Sequence, residues 1–286
     1  MRILKLALLA AIITGSLLAL GASGQHVIWG LLLNPAADGH EMMDGTLNPL
    51  SAIEIRRAIN RGINRQDLLT AYSGSGVSDM MYTPMSMVWC CSDTYFGNEI
   101  RLSPTGIDNE HFCQIIDDQM LALSARMNAD GHYVYDGEVV ELTFIVRTDT
   151  NDGRDLAAEK IKALLESTGL LVTMKAVTDY SWNEILWIEN PIQGNWHLAL
   201  TGWVGQDVHR PLQRIRQYYA PSGMQLPGCY NPPANVEWWE YENSDIEADL
   251  VDAAATTNLV DYLKFLEEAV LEGLRESVQI AIGGFD

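Results

Sequence analysis

Glu141-Leu-Thr-Phe-Ile-Val-Arg147, read on through Asp207, is the stretch that decides the fold. Its alternating apolar side chains predict a strand. Asp155 to Ser167 then predicts a helix, with Ala157, Ile161, Leu164 and Leu165 forming its apolar stripe. Gly169 stands where a helix C-cap belongs, because glycine enters the left-handed region without steric cost. Leu170 to Val177 reads as a second strand, Ser181 to Trp187 as a short helix or turn, and Trp196 to Thr201 as a third strand. Strands separated by helices imply an α/β fold with a mixed, largely parallel sheet flanked by helices. In open sheets of this kind, ligands collect beyond the carboxyl ends of the strands. Gly202-Trp203 follows such an end directly, so function is sought near Trp203 and Asp207.

The chain has 286 residues, 48% of them hydrophobic, which is enough to bury one large core or two small ones. With 38 acidic against 18 basic side chains, its formal charge of -20 argues against nucleic acid as a partner. An acidic, well-solvated surface is the plain reading of that charge.

At the amino end, Arg2 and Lys5 precede an apolar run from Leu6 to Ile13, continued by Leu17 to Leu20 and closed by Gly21-Ala-Ser-Gly24. This order predicts a secretory signal peptide over residues 1–24, and cleavage near Gly24 leaves about 260 mature residues. Export places the four cysteines in an oxidising setting. Adjacent Cys90 and Cys91 do not readily pair with each other, so each disulfide would use Cys113 or Cys229; free buried thiols are the alternative. Metal-binding spacers are missing, and no metal or cofactor is expected.

Val27 to Leu33 forms a strand-like run before Asn34-Pro35. Ser51 with Glu54 reads as a capping box, opening a helix with Ile55, Ile59 and Ile63 on one face and Arg56, Arg57 and Arg61 turned elsewhere. A further helix is expected over residues 107–127, and Tyr133 to Gly137 reads as a turn into the first sheet strand. Pro211 to Tyr219 predicts a helix, followed by a Pro- and Gly-rich loop over residues 221–233. A long amphipathic helix from Thr257 to Ser277 and a strand from Val278 to Ile282 complete the chain.

Asn48-Pro49-Leu-Ser51, Glu54-Ile-Arg56-Arg57-Ala58-Ile59-Asn60, Ile63-Asn-Arg65, Tyr82-Thr83-Pro84 and Thr201-Gly-Trp203 stand in an order that resembles the family 5 extracellular solute-binding proteins. These are the peptide- and nickel-binding receptors of ABC importers. The resemblance runs from about Leu33 to the end and matches only the later part of the family's usual length, so the first lobe is expected to be missing. It implies a periplasmic-binding-protein-like lobe, with a helical part of the solute-binding region over residues 25–136 and an α/β lobe over residues 137–286. It also implies a periplasmic or cell-surface protein that closes on a peptide or other small solute and docks on ABC permease subunits. A separate chain would supply the missing lobe. The different-class alternative is a truncated paralogue that acts as a protein-interaction module without transport.

In peptide-binding members, an aspartate shortly after the Gly-Trp pair meets the peptide's ammonium group, and Asp207 is the matching residue. Trp203 would cover the ligand. His209 and Arg210 would meet a ligand carboxylate or belong to a solvated loop, and Tyr218 and Tyr219 would rim the same cleft or pack on the Pro221 loop. Trp182, Trp187 and Trp196 read more simply as core, as does His197. Nickel is implied by the family alone, since no histidine cluster supports it. Catalysis finds no support: Ser73-Gly-Ser75-Gly76 lacks the nucleophile-elbow pattern, and there is neither a His-Glu-x-x-His pair nor a Gly-Lys phosphate loop.

Overall fold

A computed structural model describes residues 27–73, 82, 102–150, 152–204, 211–221 and 243–285. Its main sheet joins β1 (Val27–Leu33), β5 (Glu141–Arg147), β6 (Leu171–Val177), β7 (Leu198–Val204) and β8 (Gln279–Phe285) in the order β6-β5-β7-β1-β8. β5 pairs in parallel with β6 and β7, whereas β1 runs antiparallel to both β7 and β8. Four strands therefore share one direction and β1 alone opposes them. A second, small sheet holds β2 (Arg126–Met127), β3 (Tyr133–Tyr135) and β4 (Glu138–Val139). Asp136 and Gly137, at φ 47° and 90°, make its tight turn, the two-residue geometry that matches strand twist.

Helices cover both faces of the main sheet. On one face Leu31, Leu142, Phe144, Leu198 and Ile280 meet α1 (Ile53–Gly62), α2 (Arg65–Ser73), α3 (Asn109–Ala122) and α4 (Arg154–Glu166). On the other, Leu32, Ile145 and Ala199 meet α5 (Asp179–Trp187), and Ile28 and Ala281 meet α6 (Pro211–Tyr219), α7 (Ser244–Ala255) and α8 (Leu259–Glu276). Trp182, Trp187 and Trp196 all lie in the core beside α5. β1 is apolar throughout because both of its faces are covered: Ile28, Leu31, Leu32 and Leu33 are fully buried.

Several expectations need correcting. Residues 25–136 also contribute β1, which sits between β7 and β8, so the described residues on either side of 136/137 share a core and a sheet. Ser51 does not cap α1. It lies in a 3-10 turn, Pro49–Ser51, which the Asn48 side chain caps by accepting from the Leu50 amide, and Ala52 is the α1 N-cap. Glu54 instead pairs with Arg57 at 2.6 Å. The helix expected over residues 107–127 stops at Ala122, since Ser124 takes φ 66° and Met127 enters β2. Gly169 does adopt the positive φ, 97°, that ends the turn after α4.

The Arg-Arg-Ala-Ile-Asn run of α1 has a definite task. Arg56 is buried, and its Nε donates to the Glu276 carbonyl at 2.9 Å while Nη1 donates to the carbonyls of Leu50 and Ser51. Arg57 Nε donates to the Arg275 carbonyl at 2.8 Å, and Asn60 Nδ2 to Ser277 Oγ at 3.0 Å. Arg65, also buried, donates from Nε to the Ala281 carbonyl at 2.8 Å. The last carbonyls of α8 have no partners within the helix, and cationic donors from α1 satisfy them and oppose the negative end of its dipole. This motif is a clasp on α8 and β8.

Candidate functional site

β5, β6, β7 and β8 end on one edge of the sheet, where β1 begins. Two strand-to-helix turns on this edge are tied together. Arg147, the last residue of β5, meets Asp149 at 3.0 Å and Asp179 at 2.5 Å, and Asp149 Oδ2 accepts from the Asp179 amide at 2.9 Å. Burial alone would raise the Asp149 pKa, but the hydrogen bond from Arg147, the Asp179 N–H and the Arg147 charge hold it below the ordinary carboxylate value. Thr178 caps α5 by accepting from the Ser181 amide. Tyr180, beside Asp179, is 65% exposed.

Behind the β5 turn lies a stacked floor. Trp29 and Tyr72 have ring centroids 3.9 Å apart and planes 8° from parallel, and the Arg154 guanidinium lies 5.4 Å from the Trp29 centroid. Asp152 holds Arg154 from a second side, accepting from Nε at 2.9 Å and Nη2 at 2.6 Å. Although burial raises the Asp152 pKa, the contacts with Arg154 outweigh that cost and lower it. Gly153, at φ 76°, packs so closely on α2 that a Cβ there would lie 2.1 Å from the Ala71 carbonyl oxygen. The Tyr72 hydroxyl and Trp29 Nε1 are buried with no partner among the described residues, and burial raises the Tyr72 pKa strongly.

The glycine of the Gly-Trp pair belongs to this floor. Gly202 lies opposite Trp29 in the β1–β7 ladder, and a Cβ on it would come within 2.3 Å of the indole ring. Across β1, the pairing with β8 slips between Trp29 and Gly30, a bulge that increases local twist next to the same ring. In sequence Gly202 stands out only as the neighbour of Trp203, whereas in the fold it makes room for Trp29, which lies in an apolar run remote in the chain.

The expected site residues are not all brought together. Trp203 lies in β7, its backbone opposite Ile28 at the carboxyl edge. Asp207, His209 and Arg210 lie outside the described residues. Tyr218 is 2% exposed and packs with Ile215, Leu266 and Val270 in the core of α6–α8, so it does not rim a cleft as expected. Cys113 is free, and the other three cysteines lie outside the described residues. His197 is buried on the opposite edge, where Nδ1 accepts from the Thr143 amide at 3.0 Å; burial depresses its pKa to about 4. Among the described residues no group of three His, Cys, Asp or Glu side chains could hold a metal ion, and no helix is long and apolar enough to cross a membrane.

The sequence matches no protein-family model and no curated protein. The fold does match solved structures. A mannohexaose-bound oligopeptide ABC transporter periplasmic oligopeptide-binding protein from Thermotoga maritima has 15% identity and a TM-score of 0.66, with 92% of this chain and 44% of that chain covered. The oligopeptide-binding protein AppA from Bacillus subtilis, solved with a nonapeptide, has 15% identity and a TM-score of 0.63, over 91% and 45%. NikZ from Campylobacter jejuni, solved with Ni(L-His), has 16% identity and a TM-score of 0.58, over 91% and 45%. The chain thus has the α/β fold of peptide- and nickel-type ABC substrate-binding proteins and spans less than half the length of these three.

Proposed function

We propose that this chain is an exported solute-binding component of an ABC importer, that it takes peptides, and that it captures them on the carboxyl edge of its sheet. The observation that supports this reading most is the likeness over about nine-tenths of the chain to substrate-binding proteins solved with a nonapeptide, an oligosaccharide and a nickel complex. The stapled turns of the same edge fit the role. Arg147 fixes Asp149 and Asp179, and the Trp29–Tyr72–Arg154 floor supports the β7 end, so a ligand would meet a surface organised before it arrives. In this reading Trp203 covers the solute, Asp207 pairs with its ammonium group, and His209 and Arg210 meet its carboxylate, while Tyr218 backs the helix below. A desolvated ammonium needs such a paired carboxylate, because burial of a lone charge is costly. Capture would be followed by delivery to a permease, with a second lobe closing the cleft.

The test is thermal unfolding of the purified chain with and without a pool of di- and oligopeptides. Occupancy at one hundred times Kd adds about 2.7 kcal/mol, which raises Tm by about 5–10 °C for a domain of this size. Asp207→Ala is expected to abolish the shift while leaving the ligand-free Tm unchanged. A cooperative transition that peptides do not move would overturn peptide capture, and a full shift in the variant would remove Asp207 from the site.

A further inference from the structure

On the opposite side of the lobe, where α8 gives way to β8, α1 and α8 flank a shallow, open groove of about 420 Å³. It is lined by Leu271 and Leu274, by Arg57, Arg61 and Arg275, and by one acidic side chain, Glu54. These three guanidiniums gather in a chain of formal charge -20 with only 18 basic side chains in all. Two of them are half-committed: Arg57 meets Glu54 at 2.6 Å, and Arg275 meets Glu272 at 3.0 Å. Arg61 is exposed and donates only to the Arg57 carbonyl, at 3.3 Å, so its terminal nitrogens have no acceptor among the described residues. The carbonyls at the end of α8, which would otherwise repel an anion, are already taken by Arg56, Arg57 and Asn60.

We propose that this groove is a docking site for an acidic peptide segment of a partner protein, with a leucine-like side chain on Leu271 and Leu274 and carboxylates on Arg61 and Arg275. Guanidinium groups suit the work, since their planar fork meets carboxylates in paired hydrogen bonds. The charge of the rest of the surface sharpens selection, because an acidic segment is repelled elsewhere and the repulsion is screened beyond about 8 Å at physiological salt. The site is independent of solute capture, from which it is separated by the length of the sheet.

The probe is a fluorescein-labelled, carboxyl-amidated peptide of sequence Glu-Leu-Glu-Glu-Leu-Glu, read by fluorescence anisotropy at low ionic strength. With both ends blocked it offers no ammonium to Asp207. Binding is expected to weaken at least tenfold in the double variant Arg61→Glu/Arg275→Glu, to weaken similarly for the peptide with glutamine in place of glutamate, and to be unchanged in Asp207→Ala. Arg57 is left intact because it caps α8, and Arg61→Gln/Arg275→Gln serves if charge reversal disturbs folding by circular dichroism. No binding, equal binding of the two peptides, or equal binding by parent and double variant would each overturn the proposal. Loss of peptide-pool stabilisation with groove binding retained would instead remove only the solute-capture reading.

Discussion

Substituting Gly202 with alanine tests the floor of the candidate site most directly. The added Cβ would lie 2.3, 2.8 and 2.9 Å from three atoms of the Trp29 ring, each nearer than carbon atoms tolerate. Relief requires the indole to move by about 1 Å, judged from an ordinary carbon–carbon contact of about 3.5 Å. It has little room to do so, since it is 5% exposed, stacked on Tyr72 at 3.9 Å and covered by Arg154. Overpacking in well-filled interiors costs about 1–3 kcal/mol, and the clamped ring places Gly202→Ala at about 3. With a urea dependence of about 3 kcal/mol per molar, the unfolding midpoint should fall by about 1 M. Trp29→Leu loses ring volume and costs stability by itself, but in its background the alanine should be nearly neutral, giving a coupling of at least about 2 kcal/mol. A Gly202→Ala midpoint within about 0.2 M of the parent, or additive losses in the double variant, would refute the packing argument.

Tyr72→Phe should leave stability unchanged or raise it by up to about 1 kcal/mol, because it removes a buried hydroxyl that has no partner among the described residues; a loss above 1 kcal/mol in urea melts would show that the hydroxyl is bonded. His197, with a folded pKa of about 4 against an ordinary value of 6.5, binds its proton more readily in the unfolded chain. Its contribution is therefore complete above pH 6.5 and is lost as pH falls from there to about 4, by about 3 kcal/mol in all. Urea midpoints across this range should fall less steeply in His197→Gln, and parallel slopes would exclude His197 as the acid-sensitive group.

Much of the fold could be read from local pattern, and the parts that escaped share one cause. β5 and β6 announce themselves by their apolar patterns, and α4 by its stripe, because each pattern is contained within a short stretch of sequence. The place of β1 between β7 and β8 depends on partners about 170 and 250 residues away, and no periodicity within Val27–Leu33 encodes them. The same distance hid the role of the arginine motif. Arg56 and Arg57 stood out as charged residues on an amphipathic helix, but their acceptors at Glu276 and Arg275 are over 200 residues downstream. Within the candidate site, Gly202 and Trp203 were legible as a pair after a strand. Trp29, Tyr72 and Arg154 were not, because their union is a product of tertiary packing.

The ladder between β1 and β8 sets Val27 directly opposite Phe285. The starting residue of β1 and the last residue of β8 thus lie side by side, on the edge that carries the candidate site. Neighbouring strand ends of this kind suit circular permutation, because a short linker between them need not cross the core.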